Sequence, residues 1–220
     1  AIKADEKNGQ AYAWKACALG QGLFRGYIEE DFSVVWKQAE DNLKKARELN
    51  ENDFEVHRLM SEVTLAMKDY RAAQRHSKLA YDMVPNDPRV LSVYGDVCVR
   101  TGKVDEGVDA LKLALDLDPI PQGKTNADPR HAGLLFAYYM SRDKDGCLEQ
   151  IGHLDEIDVR SWLITTKICS DEEHDYENLD WFKEGKKLFA DKDWDKVVPD
   201  FRLNNDGASA ALIEFGKGLF

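Results

Sequence analysis

The sequence predicts an all-α fold: a right-handed α-α superhelix of helical hairpins, closed by a degenerate C-terminal cap. Three observations carry that reading. Small residues recur at a constant interval, apolar residues follow the three-or-four spacing of a helix face, and capping residues fall between the runs. Ala46, Ala80 and Ala114 stand 34 residues apart, as do Pro85 and Pro119. Ser61, Ala73 and Ala80 of one unit correspond to Gly95, Gly107 and Ala114 of the next. Small side chains on facing sides let two helices cross closely, while larger apolar residues fill the neighbouring gaps. A hairpin built this way cannot bury both faces alone and stacks on the next, so the interval records the stacking.

The elements follow in chain order within one repeat domain, 1–220. "AIKADE" aligns with "ALDLDP" at 114–119, so residues 1–8 are expected to be the tail of a preceding repeat, in a chain cut from a longer protein. Residues 9–51 form a stretched repeat. "AYAWKACALGQGLFRGY" is its long first helix, "IEEDFS" the loop and Ser33 the next cap; Trp36, Ala39, Leu43, Ala46 and Leu49 line the second helix. Residues 54–87 and 88–121 are two consecutive repeats in phase. Asp69 and Asp105 are expected to cap their second helices. Asp87-Pro88 and Asp128-Pro129 read as an N-cap and first helical residue, and Gly102 as a left-handed stop. "IPQGKTNADP" is a turn-rich loop. A divergent hairpin, 128–154, starts with "RHAGLLFAYYM". Residues 157–220 hold a degenerate pair and a capping helix, as a terminal repeat should.

Leu91, Tyr94-Gly95, Cys98, Gly107, Leu111, Ala114 and Pro119 resemble the tetratricopeptide repeat, as do His57, Met60-Ser61, Thr64, Ala73, Ala80 and Pro85 one unit earlier. The aromatic usual at the first position is missing from both. Across nearly the whole chain the arrangement resembles the C-terminal repeat region of bacterial adenylate/guanylate cyclase-like signalling proteins. The blocks "HRLMSEVTLAMKDYRAAQRHSKLAYDMVPND" and "GDVCVRTGKVDEGVDALKLALDLDP" carry most of that likeness. It implies a cytoplasmic, non-catalytic scaffold or regulatory module, with any cyclase domain lying upstream. Self-association and the repeat region of a transcriptional regulator are the alternatives.

Composition narrows the classes further. The net charge of −11 argues against nucleic acid as partner, because phosphate contacts need clustered Lys and Arg. No run reaches the ~18 apolar residues of a membrane span. Cys17, Cys98, Cys147 and Cys169 lie far apart on predicted helices, without the paired spacing of a zinc site, and read as small buried hydrophobes. Asp171 and His174 have the i,i+3 spacing of a metal pair, but a dinuclear bundle site needs two such pairs. "SDEEHDYE" therefore reads as a solvated helix start. "GDVCVRTGK" lacks the spacing and hydroxyl of a phosphate loop. No cofactor, metal or catalytic residue is expected.

What remains is the inner face of the repeat. By phase, Arg58, Glu62 and Leu65, then Arg89, Ser92, Asp96 and Arg100, then Ala132, Phe136, Tyr139 and Met140 are expected on it. That is a mixed charged floor with an apolar-aromatic end, suited to an extended protein or peptide segment. Phe136, Tyr139 and Met140 have a second reading, as packing against the final pair. Self-association is expected if Trp14, Phe24 and Tyr27 are exposed.

Overall fold

The structure, a computed structural model, describes residues 2–24, 27–119, 128–194 and 206–220, and every regular element among them is a helix. The helices are α1 (Gly9–Phe24), α2 (Phe32–Leu49), α3 (Phe54–Ala66), α4 (Tyr70–Met83), α5 (Pro88–Arg100), α6 (Val104–Leu117), α7 (Asp128–Ser141), α8 (Lys144–Ile151), α9 (Val159–Asp171), α10 (Asp180–Leu188) and α11 (Asp206–Lys217). The chain divides into two compact units, Ala1–Val97 and Cys98–Phe220.

In the first unit the recurring small residues lie where helices cross. Ala13 and Ala16 of α1, Ala39 and Ala46 of α2, Ala73 of α4 and Ser61 of α3 are all fully buried. Leu43, Val56, Leu59, Met60 and Val63 fill the space between them. A Cβ at Gly9 would meet the Ala46 carbonyl oxygen at 3.0 Å, so α1 starts close against α2. Ser61 donates its hydroxyl to the Ala73 carbonyl at 3.1 Å, which ties α3 to α4 without a large side chain. Ala80 and Ala114, the other members of the 34-residue series, are buried too.

The turns repeat at backbone level more closely than the side chains do. Four of the loops that close with an amide reaching back five residues follow one pattern: Asp69 to Thr64 (2.9 Å), Lys103 to Cys98 (2.8 Å), Asp143 to Tyr138 (2.8 Å) and His174 to Cys169 (2.9 Å). In each, the residue before that amide is left-handed: Lys68 (φ 61°), Gly102 (φ 90°), Arg142 (φ 59°) and Glu173 (φ 51°). Glycine was expected only at 102, and it is there; the other three positions carry side chains in a backbone region that disfavours them.

Several local expectations need correction. Asp31, not Ser33, caps α2; its carboxylate accepts from the Ser33 and Val34 amides. α6 begins at Val104 behind Lys103, which makes no side-chain cap, and Asp105 sits inside the first turn where its charge faces the helix dipole. The acidic stretch 171–175 does not start a helix. Asp171 ends α9, and Glu173 is its left-handed stop. α1 ends at Phe24, and residues 25–26, through which a longer helix was expected, lie outside the described residues, as does the loop at 120–127. α7 begins at Asp128 itself. Asp69 and Asp87 do cap as expected, accepting from Ala72 N, and from Arg89 N and Val90 N.

The second unit has a different core. Trp162 of α9 is fully buried, stacked on Phe182 at 5.6 Å and tilted against Phe189 and Phe220. Its indole N–H donates to the Phe182 carbonyl at 3.2 Å. A Cβ at Gly185 would lie 2.1 Å from that indole, so α10 approaches closely only because residue 185 has no side chain. Gly216 of α11 bears the same relation to Trp194 and Leu163, at 2.7 and 2.8 Å.

Candidate functional site

The first helices of the hairpins bring a charged group together in the first unit. Arg58 of α3 is only 5% exposed. It grips Glu55 with two bonds, Nε to Oε2 at 3.1 Å and Nη2 to Oε1 at 2.8 Å, and reaches Glu62 Oε1 with Nη1 at 2.6 Å. The three residues share a face because they are three and four positions apart on one helix. Burial would pull the Arg58 guanidinium down, but the Glu55 bond and the Glu62 and Glu55 charges hold it above its ordinary value. Arg89 of α5 adds a second cation, 3.5 Å from Glu55 and bonded to Asp87 at 2.8 Å. Burial raises Asp87, yet the Arg89 side-chain and backbone bonds bring it below the usual carboxylate range.

α1 supplies the apolar part. The Trp14 ring lies over the Arg58 guanidinium, 5.4 Å from its centroid, and is 49% exposed. Cys17, one turn on, points its thiol at Glu62 Oε2 at 3.8 Å. Burial, then the Glu62 charge, push that thiol up to about 11, so it is no nucleophile at neutral pH. The arrangement can hold a partner by stacking on Trp14 and by polar contacts to Arg89 and Glu62. It offers no paired nucleophile and base.

The other expected surface residues divide between face and core. In the first unit, Leu65 is buried with Ala73 and Val97. Ser92 is half-buried and donates to the Pro88 carbonyl, and Asp96 is half-buried. In the second unit, Phe136 is fully buried in one core with Leu135, Trp162 and Leu163, and the guanidinium groups of Arg100 and Arg160 stand 5.0 and 5.9 Å from its ring centre. Arg100 and Ala132 are buried too. Tyr139 packs against Cys147, Ile168 and Cys169; burial, then Asp171, raise its phenol. Met140 is exposed. The packing alternative thus describes Phe136 and Tyr139.

Glu55 and Gln10 were missed by phase reading. Glu55 carried a signal, its spacing of three residues to Arg58; Gln10, which donates to the α3 cap Asp53 at 2.8 Å from 43 residues away, carried none. All four cysteines are free and buried. Burial pushes Cys169 up to about 11 and raises Cys147 as well. Among the described residues no group of three or more His, Cys, Asp or Glu is placed to hold a metal ion. None of their helices is long and apolar enough to cross a membrane.

No family model and no curated protein matches the chain. Among solved structures it is similar to Pseudomonas aeruginosa pilF, with a TM-score of 0.58 and 16% sequence identity, covering 98% of this chain and 93% of that one. At that identity the likeness shows the fold, which is the all-helical, tetratricopeptide-type arrangement of hairpins.

Proposed function

We propose that this chain is a non-catalytic protein-protein interaction module that holds a protein or peptide segment on the α1, α3 and α5 surface of its first unit. The observation that supports it is Trp14. A half-exposed indole, braced from below by a guanidinium that is itself held by two carboxylates, is the pre-ordered aromatic anchor that dominates binding energy elsewhere. The tetratricopeptide-type fold supports the same reading. In the cell the module belongs to a larger bacterial cytoplasmic signalling protein, with a nucleotide cyclase as the attached enzyme. That finer assignment rests on the sequence blocks at 57–87 and 95–119.

A peptide array probed with the purified chain tests it. Segments captured by the wild type should lose tenfold or more in affinity to Trp14→Ala; equal capture by both proteins would discard this surface. Self-association is the second reading, favoured by Trp14 and Tyr27, which are 49% and 77% exposed, with Phe32 and Val34 also exposed; the Phe24 side chain lies outside the described residues. Light scattering that gives a concentration-independent monomer mass removes it.

A further inference from the structure

Away from that surface, α3 and α4 are joined by two buried imidazoles. His57 and His76 are 5% and 4% exposed, their rings stack at 5.1 Å, and their Nδ1 atoms stand 2.9 Å apart. The protons on this pair can be assigned. His57 Nε2 lies 2.7 Å from the Glu51 carbonyl oxygen, which only accepts, so that nitrogen carries a hydrogen. In the neutral ring Nδ1 is then a bare acceptor, and His76 must donate to it from its own Nδ1. A third proton can go only to His76 Nε2, making a buried cation. A fourth would set two N–H groups against each other across 2.9 Å.

The surroundings do not welcome that cation. Arg47 of α2 and Arg75 of α4 both act against it, and the α4 cap Asp69 is the countercharge. The one charged residue of α1, Lys15, is exposed. On α3, Glu55 and Arg58 are engaged with each other, and Arg89 of α5 with Glu55 and Asp87.

The second unit repeats this contact with an amide in place of the hydrogen-bonded second ring, while His153 stacks on His131 at 4.9 Å. Seventy-four residues further on in each helix of the hairpin, His131 stands for His57 and Gln150 for His76, and His131 Nδ1 donates to Gln150 Oε1 at 2.8 Å. An amide accepts from an imidazolium as readily as from an imidazole. In one hairpin the first added proton puts a buried cation beside a second imidazole and the next removes the hydrogen bond; in the other the bond survives protonation of its single imidazole.

We propose that the α3–α4 hairpin is an acid-sensitive latch, held closed by the neutral, hydrogen-bonded His57–His76 pair and opened when added protons put charge into that buried contact. Because α3 also carries Glu55, Arg58 and Glu62, release in acid would dismantle the surface assigned above; only this consequence rests on that assignment. Burial, then the neighbouring His57, lower His76 from 6.5 to about 4. A folded value below the unfolded one means the stabilisation is whole above pH 6.5 and is lost as the pH falls toward 4.

The test is urea unfolding of the 220-residue chain, wild type against His76→Gln, which imports the contact of the other hairpin. Between pH 7 and pH 5 the wild-type unfolding constant should rise about 20-fold more than that of the variant. Equal pH dependence of the two proteins would overturn the proposal. Should the variant not fold, imidazole nitrogen shifts of the wild type decide. A hydrogen on His57 Nε2 with His76 as the neutral Nδ1–H form at pH 6 supports it; His76 as an imidazolium at pH 6 in the folded protein refutes it. Stabilisation by micromolar zinc or copper(I), reversed by a chelator, would make the pair a metal site instead and also overturn the latch. No partner enters these measurements, so their failure is distinct from failure of the peptide array.

Discussion

The hairpins α3–α4 and α7–α8 share a register and differ in almost everything else. Offsetting the chain by 74 residues places Lys68 on Arg142, Asp69 on Asp143, Ala73 on Cys147 and His57 on His131. Ser61 donates to the Ala73 carbonyl in one; in the other Cys147 points its thiol at the Leu135 carbonyl, 3.5 Å away, so the same two positions touch with the donor on the opposite helix. Yet Arg58 and Glu62, a charged pair in the first, become Ala132 and Phe136, part of an apolar core, in the second. The lesson is a separation of duties. Crossing residues and turns set the hairpin, and the first-helix face can then be charged or apolar without disturbing it.

The sharpest way to break the comparison is to exchange that face. Arg58→Ala leaves Glu55, 4% exposed, with only the longer Arg89 contact at 3.5 Å and should destabilise by about 3 kcal/mol in chemical denaturation. Ala132→Arg should cost a similar amount, because the second hairpin has no matched carboxylate pair; its positions 129 and 136 are Pro and Phe. A smaller effect sits at the crossing. Gly146 lies under the Tyr138 ring, and a Cβ there would be 2.6 Å from it, so Gly146→Ala should cost about 1–3 kcal/mol. The first hairpin has Ala72 and Thr64 at those positions, and adding Tyr138→Thr should recover most of that loss in thermal unfolding.

The caps should behave alike in the two hairpins. Asp69 accepts from Ala72 N at 3.0 Å and Asp143 from Gly146 N at 2.9 Å, so Asp69→Ala and Asp143→Ala should each cost about 1 kcal/mol by urea unfolding. A clear inequality would mean that one turn carries strain the other lacks. Least of all, Lys68→Gly and Arg142→Gly should each stabilise by about 0.5–1 kcal/mol, since both residues hold a left-handed backbone that glycine adopts freely. Gly102→Ala should move the melting temperature the other way.

Much of this architecture was legible in the residues. Ala46, Ala80 and Ala114 announced the crossings because a close approach admits few side chains, and Asp69, Asp87 and Gly102 announced the ends because their chemistry is local. Lys68, Arg142 and Glu173 could not be read as stops. Their backbone is set by the return of the second helix onto the first, and residue type carries no trace of that. Ser33 and Asp31 are both good caps two positions apart, and only the built turn chooses between them. The face was half visible: phase put Arg58 and Glu62 together, but a lone arginine reads as solvated until its partners are in place. Trp14, at the start of an irregular repeat, had no phase to place it.

The tryptophans also divide usefully between the units. Trp14 keeps half its surface in water, while Trp162 is sealed among Phe182, Phe189 and Phe220. Indole emission shifts to the blue as its surroundings dry, so of the five tryptophans Trp14 emits toward the red and Trp162 toward the blue. With Trp36, Trp181 and Trp194 replaced by Phe, the red edge follows the first unit and the blue edge follows the seating of Phe220 on Trp162.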